Sequence, residues 1–405
     1  MASPIDTGDT AWILTSSALV LLMTPGLAFF YGGMVRKKNV LSTLNLSFIM
    51  MGLISLQWVL WGYSLAFGDD LGGGLLGNFK YLFFHGVGAA PLEGSTLPHT
   101  VFAIFQMMFA IITPALISGA VVDRIKFSTW IVFGLVWATI VYDPICHWAW
   151  GPGGWMGAMG ALDFAGGTVV HISAGYSALA LAMLLGPRKG FPKAPMEPHN
   201  IPFTVLGAGI LWFGWFGFNA GSALAANGLS AAAFLNTNTA AAAAAMSWMF
   251  MAWKDGKPSV LGIATGAVVG LVAITPASGF VSPVGAIIIG AVASPISYMM
   301  FQVRHKWNLD ESLDVFACHG IAGTFGALAT GFLADPAIAE KAGLFYGNAS
   351  QAGIQALSVV ASAAFAFVVT YILGLILKST MGLKVASAAE EVGLDLSEHG
   401  ERAYS

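Results

Sequence analysis

FAGGTVVHISAGYSALALAMLL, residues 164–185, is long enough to cross a bilayer, carries no acidic or basic residue, and holds one histidine, His171. A second apolar stretch, over about 312–333, repeats the phrase around its own histidine: His171-Ile-Ser-Ala-Gly175 is echoed by His319-Gly-Ile-Ala-Gly323. An ionisable side chain inside a bilayer costs from about 2.5 to more than 10 kcal/mol unless it faces a cavity or a partner. The natural partner of each imidazole is the other. A neutral ring has one donor and one acceptor nitrogen, so two rings can satisfy each other and still offer nitrogen to a small hydrogen-bonding solute. The plainer alternative is two unrelated core histidines, each bonded to a backbone carbonyl. The matched pair favours a transport path.

Working outward, 57% of the 405 residues are hydrophobic and only 9% are charged, against about a quarter charged in soluble chains. Eleven segments of membrane length can be marked, at about 11–35, 41–67, 99–121, 128–148, 164–185, 200–220, 231–252, 259–276, 280–302, 312–333 and 353–377. The fold class expected is an all-α polytopic membrane protein. Its transmembrane domain takes residues 1–378, and a cytoplasmic tail takes 379–405.

Alternating the connections between two sides puts fifteen basic residues on one side: Arg36, Lys37, Lys38, Arg124, Lys126, Arg188, Lys189, Lys193, Lys254, Lys257, Arg304, Lys306, Lys378, Lys384 and Arg402. Only Lys80 and Lys341 fall on the other. This positive-inside bias predicts an outer N-terminus, an odd number of crossings and a cytoplasmic tail. Met1 to Asp9 has two aspartates and no basic residue, so it is not a secretory leader with a basic start. A net charge of −3, with basic residues confined to turns, implies no nucleic-acid partner. Two cysteines, Cys146 and Cys318, are too few for a disulfide framework or a four-ligand metal site, and read as small core residues. No cofactor is expected. Phosphate-binding loops and His-Glu-x-x-His are absent, which argues against an ATP-driven pump, and no enzyme chemistry is expected.

The histidine phrases fall in segments five and ten. Gly26-Leu-Ala-Phe-Phe-Tyr-Gly-Gly-Met34 in segment one likewise resembles Gly214-Trp-Phe-Gly-Phe-Asn-Ala-Gly-Ser222 in segment six. Equivalents are five helices apart, so the halves, about 11–185 and 200–333, run in opposite senses, with 353–377 as an added eleventh helix. Inverted repeats place a binding site where the halves meet near the midplane. Small residues such as Gly320, Gly323 and Gly326 predict close helix packing. Segment seven, with Asn236-Thr-Asn-Thr239 before the run Ala240 to Ala245, suits a buried helix whose asparagines need protein or water partners.

On the outer halves, Trp150 ends segment four, Phe109 lies in segment three, and Trp215, Phe218 and Ser222 lie in segment six. Aromatic faces attract a cation by ~0.5–2 kcal/mol each and a serine hydroxyl can accept its hydrogen bond, so these residues can form an external cation cup. The plainer reading is an interfacial aromatic belt. Asp163, eight residues before His171, can cap its helix and add negative potential that draws a cation inward. Asp314, five residues before His319, is expected to cap its own helix. His85, His99, His147, His199, His305 and His399 are expected to be surface or packing residues.

The motifs Asp163-Phe-Ala-Gly-Gly-Thr-Val-Val-His171, Gly214 to Ser222 and Asp314-Val-Phe-Ala-Cys-His-Gly320 closely resemble those of the ammonium transporter family, relatives of the Rhesus glycoproteins, over nearly the whole chain. The resemblance implies a homotrimer in the inner (plasma) membrane, in contact with the lipid bilayer, with one pore per subunit and ammonium or ammonia as substrate. It assigns Phe109, Trp150 and Ser222 to an outer recruitment site, and Phe109 and Phe218 to a phenyl gate. His171 and His319 become twin pore histidines, Trp215 a pore-lining tryptophan and Asp163 a buried acid needed for transport. Ammonium loses its proton near the gate and ammonia crosses, with a proton relayed through the histidines; ammonia conduction alone is the close rival. The tail, Ala389 to Tyr404, resembles a regulatory region that packs on neighbouring subunits and cooperates with a PII-type signalling protein. Asp123-Arg124 stands where Glu-Arg is usual. An ammonium sensor with little flux and a Rhesus-type channel are the alternatives. The Rhesus side usually lacks the outer tryptophan and serine, so Trp150 and Ser222 speak against it.

Overall fold

The structure, a computed structural model, describes residues 5–404, the side chain of His305 excepted. Residues 1–4 of the opening stretch lie outside the described residues. Every segment marked in the sequence is helical: α1 (Thr7–Met34), α2 (Lys37–Phe67), α3 (His99–Val121), α4, α5 (Gly167–Leu185), α6 (Ile201–Gly221), α7 (Gly228–Asp255), α8 (Val260–Ile274), α9 (Pro283–Lys306), α10 (Phe316–Leu333) and α11 (Ala349–Thr380). Helix α4 runs as Phe127–Trp137, a π turn Ala138–Tyr142, and Asp143–Trp150. Among the described residues, nine helices are long and apolar enough to cross a membrane. The alanine-rich α7 is not among them, and α8 is a shorter apolar helix. Large apolar side chains face outward along the bundle, among them Leu14, Phe213, Phe250, Val292 and Ile372, as a lipid-facing surface requires.

Helices α1 and α6 pack along each other, and so do α5 and α10. The second pairing depends on the glycines of the histidine phrases. A Cβ on Gly175 would lie 2.1 Å from the backbone nitrogen of Gly320, so the α5 and α10 backbones touch at their crossing. Both helices open with a π turn, Gly167–Ile172 in α5 and Phe316–Ile321 in α10, and each π turn contains its histidine. In α7, the buried Asn236 donates to the carbonyls of Ser278 and Val281 at 2.9 and 2.7 Å, while Asn238 is exposed.

Basic residues of several connections converge at one end of the bundle. Asp123 meets Arg36 at 3.2 Å and Arg188 at 3.3 Å and accepts from Asn39; Arg188 also grips Asp310 at 2.7 Å. Asp123 has a left-handed φ of 72°, which turns its carboxylate back into this cluster. Arg124 is fully buried and donates to the carbonyls of Gly186 and Asp310; burial pulls its guanidinium down to about 10, against the opposing pull of Asp310. The tail closes the same end. Two short helices, α12 (Ser387–Val392) and α13 (Leu394–His399), lie against the start of α2, where Asp395 accepts from the Ser42 amide at 2.8 Å and Asn39 accepts from the Leu394 amide at 2.8 Å. Thus the tail packs on its own chain.

Candidate functional site

The site is a column of rings between α3, α4, α5, α6 and α10. At one end the edge of Trp150 meets Phe109, with ring centroids 6.0 Å apart and planes at 85°. Phe109 and Phe218 close on each other at 4.3 Å, and both are almost fully buried. The Ser222 hydroxyl, one turn beyond Phe218, donates to the Phe218 carbonyl at 2.8 Å, which leaves its oxygen free to accept from a solute. Below the phenyl pair, His171 stacks on Phe218 at 5.9 Å and on Trp215 at 5.4 Å. His171 and His319 meet through their Nδ1 atoms at 3.2 Å. The rings of Trp150, Phe109, Phe218, His171 and His319 therefore follow one another in a column, with Trp215 beside His171 and Ser222 one turn beyond Phe218.

Hydrogen bonding fixes which nitrogens carry protons when both rings are neutral. The Thr275 hydroxyl gives its single proton to the Leu271 carbonyl at 2.8 Å, so it can only accept from Trp215 Nε1 at 2.9 Å and from His171 Nε2 at 3.3 Å. His171 thus donates through Nε2 and accepts at Nδ1. The shared proton belongs to His319 Nδ1, and His319 Nε2 is left with an open lone pair. Nothing in the sequence singled out Thr275, a threonine at the end of an apolar helix.

The cavity around the two histidines is lined by Leu27, Ile112, Leu116, Leu211 and Val268 and has room for only ≈ 10 Å³, about what one water-sized molecule needs. Its wall at Phe30 is shared with a wider cavity of ≈ 480 Å³ that reaches Cys318, Asp314 and Asp255. Both cysteines are buried.

Asp163 caps α5 with its full carboxylate. One oxygen accepts from the amides of Gly166 and Gly167 at 2.9 and 2.6 Å, the other from Thr168 and Val169 at 2.8 and 3.2 Å. Its backbone carbonyl accepts from the Trp150 indole at 2.9 Å, so one residue joins the Trp150 end of the column to the histidine helix. The matching expectation for Asp314 is corrected. At the start of α10 it is Glu311 that takes the amides of Val315 and Phe316, at 2.6 and 3.2 Å, while Asp314, with φ at 58°, pairs with Arg304. Burial together with the Asp314 charge pushes the Glu311 carboxyl up to about 7.

Of the remaining histidines, His85 is exposed, His99 packs against Tyr63 and bonds its hydroxyl at 2.5 Å, His199 meets the tail at the Tyr404 hydroxyl, and His399, within the tail, packs its ring on Phe127. His305 lies outside the described side chains. His147 is a packing residue: it is fully buried, and both ring nitrogens have hydrogen-bond partners, the Ala66 carbonyl and Asp70.

The sequence profile of the Ammonium Transporter Family matches residues 11–404. The chain is 49% identical to ammonium transporter Amt1 of Archaeoglobus fulgidus, over 98% of this chain and 99% of that protein. It is 47% identical to the ammonium transporter of Bacillus subtilis, over 98% of each. Among solved structures it resembles Candida albicans Mep2, with a TM-score of 0.91 and 37% identity over 99% of this chain and 91% of the other. It also resembles a protein described as a sensor Amt protein, with a TM-score of 0.89 and 31% identity over 97% and 98%. Sequence profile, relatives and fold agree, and the chain belongs to the ammonium transporter family.

Proposed function

We propose that this chain, a membrane transporter rather than an enzyme, recruits ammonium at Trp150, Phe109 and Ser222, strips its proton near the Phe109–Phe218 pair, and passes ammonia along His171 and His319 with the proton relayed between them. One observation carries the reading: the two histidines share a 3.2 Å Nδ1 contact directly beneath the phenyl pair. A bare cation would meet the charge penalty of the apolar passage, whereas ammonia would not. The open lone pair of His319 Nε2, on the far side of His171 from the phenyl pair, accepts a hydrogen bond from ammonia. Eleven crossings with an outer N-terminus, and two inverted halves followed by an eleventh helix, fit the charge partition and the α1–α6 and α5–α10 pairings. A homotrimer in the plasma membrane and a PII-type partner at the tail complete the proposal, with residues 1–378 as the transporting domain and 379–405 as the regulatory one.

An ammonium jump on bilayers containing the purified protein tests this reading. It should drive an inward current, whereas potassium, which has no proton to surrender, should drive none. An equal potassium current would refute deprotonation at the gate; binding without flux would favour a sensor.

The recruitment site is tested separately. Ser222→Ala combined with Trp150→Leu should raise the half-saturating ammonium concentration by about tenfold, the loss of ~1–2 kcal/mol of cation–π and hydrogen-bond energy. An unshifted saturation curve would return both residues to the interfacial belt.

A further inference from the structure

His147 ends a chain of contacts that leads to Trp150, three residues on. Its Nδ1 lies 2.9 Å from the Ala66 carbonyl oxygen and its Nε2 lies 3.3 Å from an Asp70 carboxylate oxygen. Neither partner has a proton to give. A carbonyl only accepts. Partial burial raises the Asp70 carboxyl, but the Gly74 and Gly72 amides and the imidazole outweigh it and hold Asp70 below the usual carboxylate range. A neutral imidazole has one donor and one acceptor nitrogen, so it would turn a lone pair on one of these two oxygens. With the ring fully buried, no bulk solvent relieves that clash. An imidazolium satisfies both. Ala66 also lies in the last turn of α2, where unpaired carbonyls and the negative end of the helix dipole favour a cation.

The surrounding bonds couple this point to the outer cup. The Gly151 amide donates to the His147 carbonyl at 2.9 Å, and a Cβ on Gly154 would fall 1.9 Å from that same oxygen, so the turn that follows Trp150 is folded down onto His147. The loop that holds Asp70 is tied to the same stretch: the Trp148 indole donates to the Leu75 carbonyl at 2.9 Å, and the Trp155 amide to the Gly74 carbonyl at 3.2 Å.

We propose that His147 is held as an imidazolium between Asp70 and the end of α2, and that this clasp is a positioning element for Trp150 that sets how tightly the outer cup holds ammonium. The effect on affinity rests on the reading of Trp150 as a wall of that cup; the charge state of the clasp does not.

Two readouts separate these. In protein labelled with ¹⁵N-histidine and held in lipid bilayers, the signals lost in His147→Gln should show two proton-bearing ring nitrogens. A ring with one unprotonated nitrogen overturns the clasp. In transport, His147→Gln should raise the half-saturating ammonium concentration by about fivefold, within what weakening one cation–π face allows, while flux at saturation stays within about twofold. Asp70→Asn should shift the curve in the same direction. Its side chain reaches the surface, so it carries the test if His147→Gln does not fold. In a Trp150→Leu background neither change should shift the curve further. If Trp150→Leu raises the half-saturating concentration and neither His147→Gln nor Asp70→Asn does, the positioning role is wrong. If Trp150→Leu itself has no effect, the cup reading fails instead, and the nitrogen spectrum still decides the clasp.

Discussion

Replacing either His171 or His319 with asparagine is expected to abolish most of the ammonium-evoked current, at least tenfold, while neutral ammonia still crosses. An amide can donate and accept a hydrogen bond, but it cannot take up and release a proton in this pH range. The Thr275 hydroxyl, committed to Leu271, demands a donor from His171, and His171 in turn accepts from His319. An asparagine at either place can keep part of this chain. The static cost is then of the order of one unmade buried hydrogen bond, about 1–3 kcal/mol, and the bundle should remain folded. Current across a bilayer, paired with the rate of internal alkalinisation by ammonia, separates the two transported species. Wild-type current in both variants would make the histidines spectators, and failure to fold would make them core residues after all.

Asp163 should be the most sensitive position outside the histidines. Its two oxygens hold four buried amides at the start of α5, and bonds to a charged acceptor contribute about 1.5–3 kcal/mol each. Asp163→Ala leaves all four unpaired, whereas Asp163→Asn keeps one carbonyl oxygen and turns an amide donor toward the other pair. If capping is the role, transport and thermal stability should fall together, with asparagine intermediate and alanine lowest, the latter losing transport by at least a hundredfold, or ~2.7 kcal/mol. If the negative charge itself draws the cation, both variants should lose transport equally while asparagine melts near the wild-type temperature. Unaltered flux in Asp163→Ala would remove the residue from the mechanism.

Much of this architecture is legible in the chain because a bilayer demands apolar length and penalises charge. Those two rules mark the segments and isolate His171 and His319. The contacts that complete the site are harder to read, since they join residues distant in sequence through groups that every residue has. Thr275 reaches His171 across 104 positions, and His147 is bonded to Asp70 across 77 and to a backbone carbonyl that no side-chain pattern announces. The exchange of Asp314 for Glu311 has a local cause. Three acids precede α10: Asp310 is held by Arg188, a left-handed turn at Asp314 sends its carboxylate to Arg304, and the amides are left to Glu311. The self-docked tail was equally hidden, because Leu394 and Asp395 look like part of a polar, acidic segment until the start of α2 is beside them.

The paired π turns give the passage a phase. A π turn holds one residue more than the α-helical turn it replaces, and one residue is worth about 100° of rotation about a helix axis. Because His171 and His319 both lie inside such turns, the direction each imidazole faces depends on a single inserted residue. A one-residue deletion there would let either helix relax into a regular spiral and carry its ring more than a quarter of a circle off the axis, while every apolar side chain remained apolar. Hydrophobicity keeps these helices in the membrane, and chain length counted to one residue keeps the two rings in line.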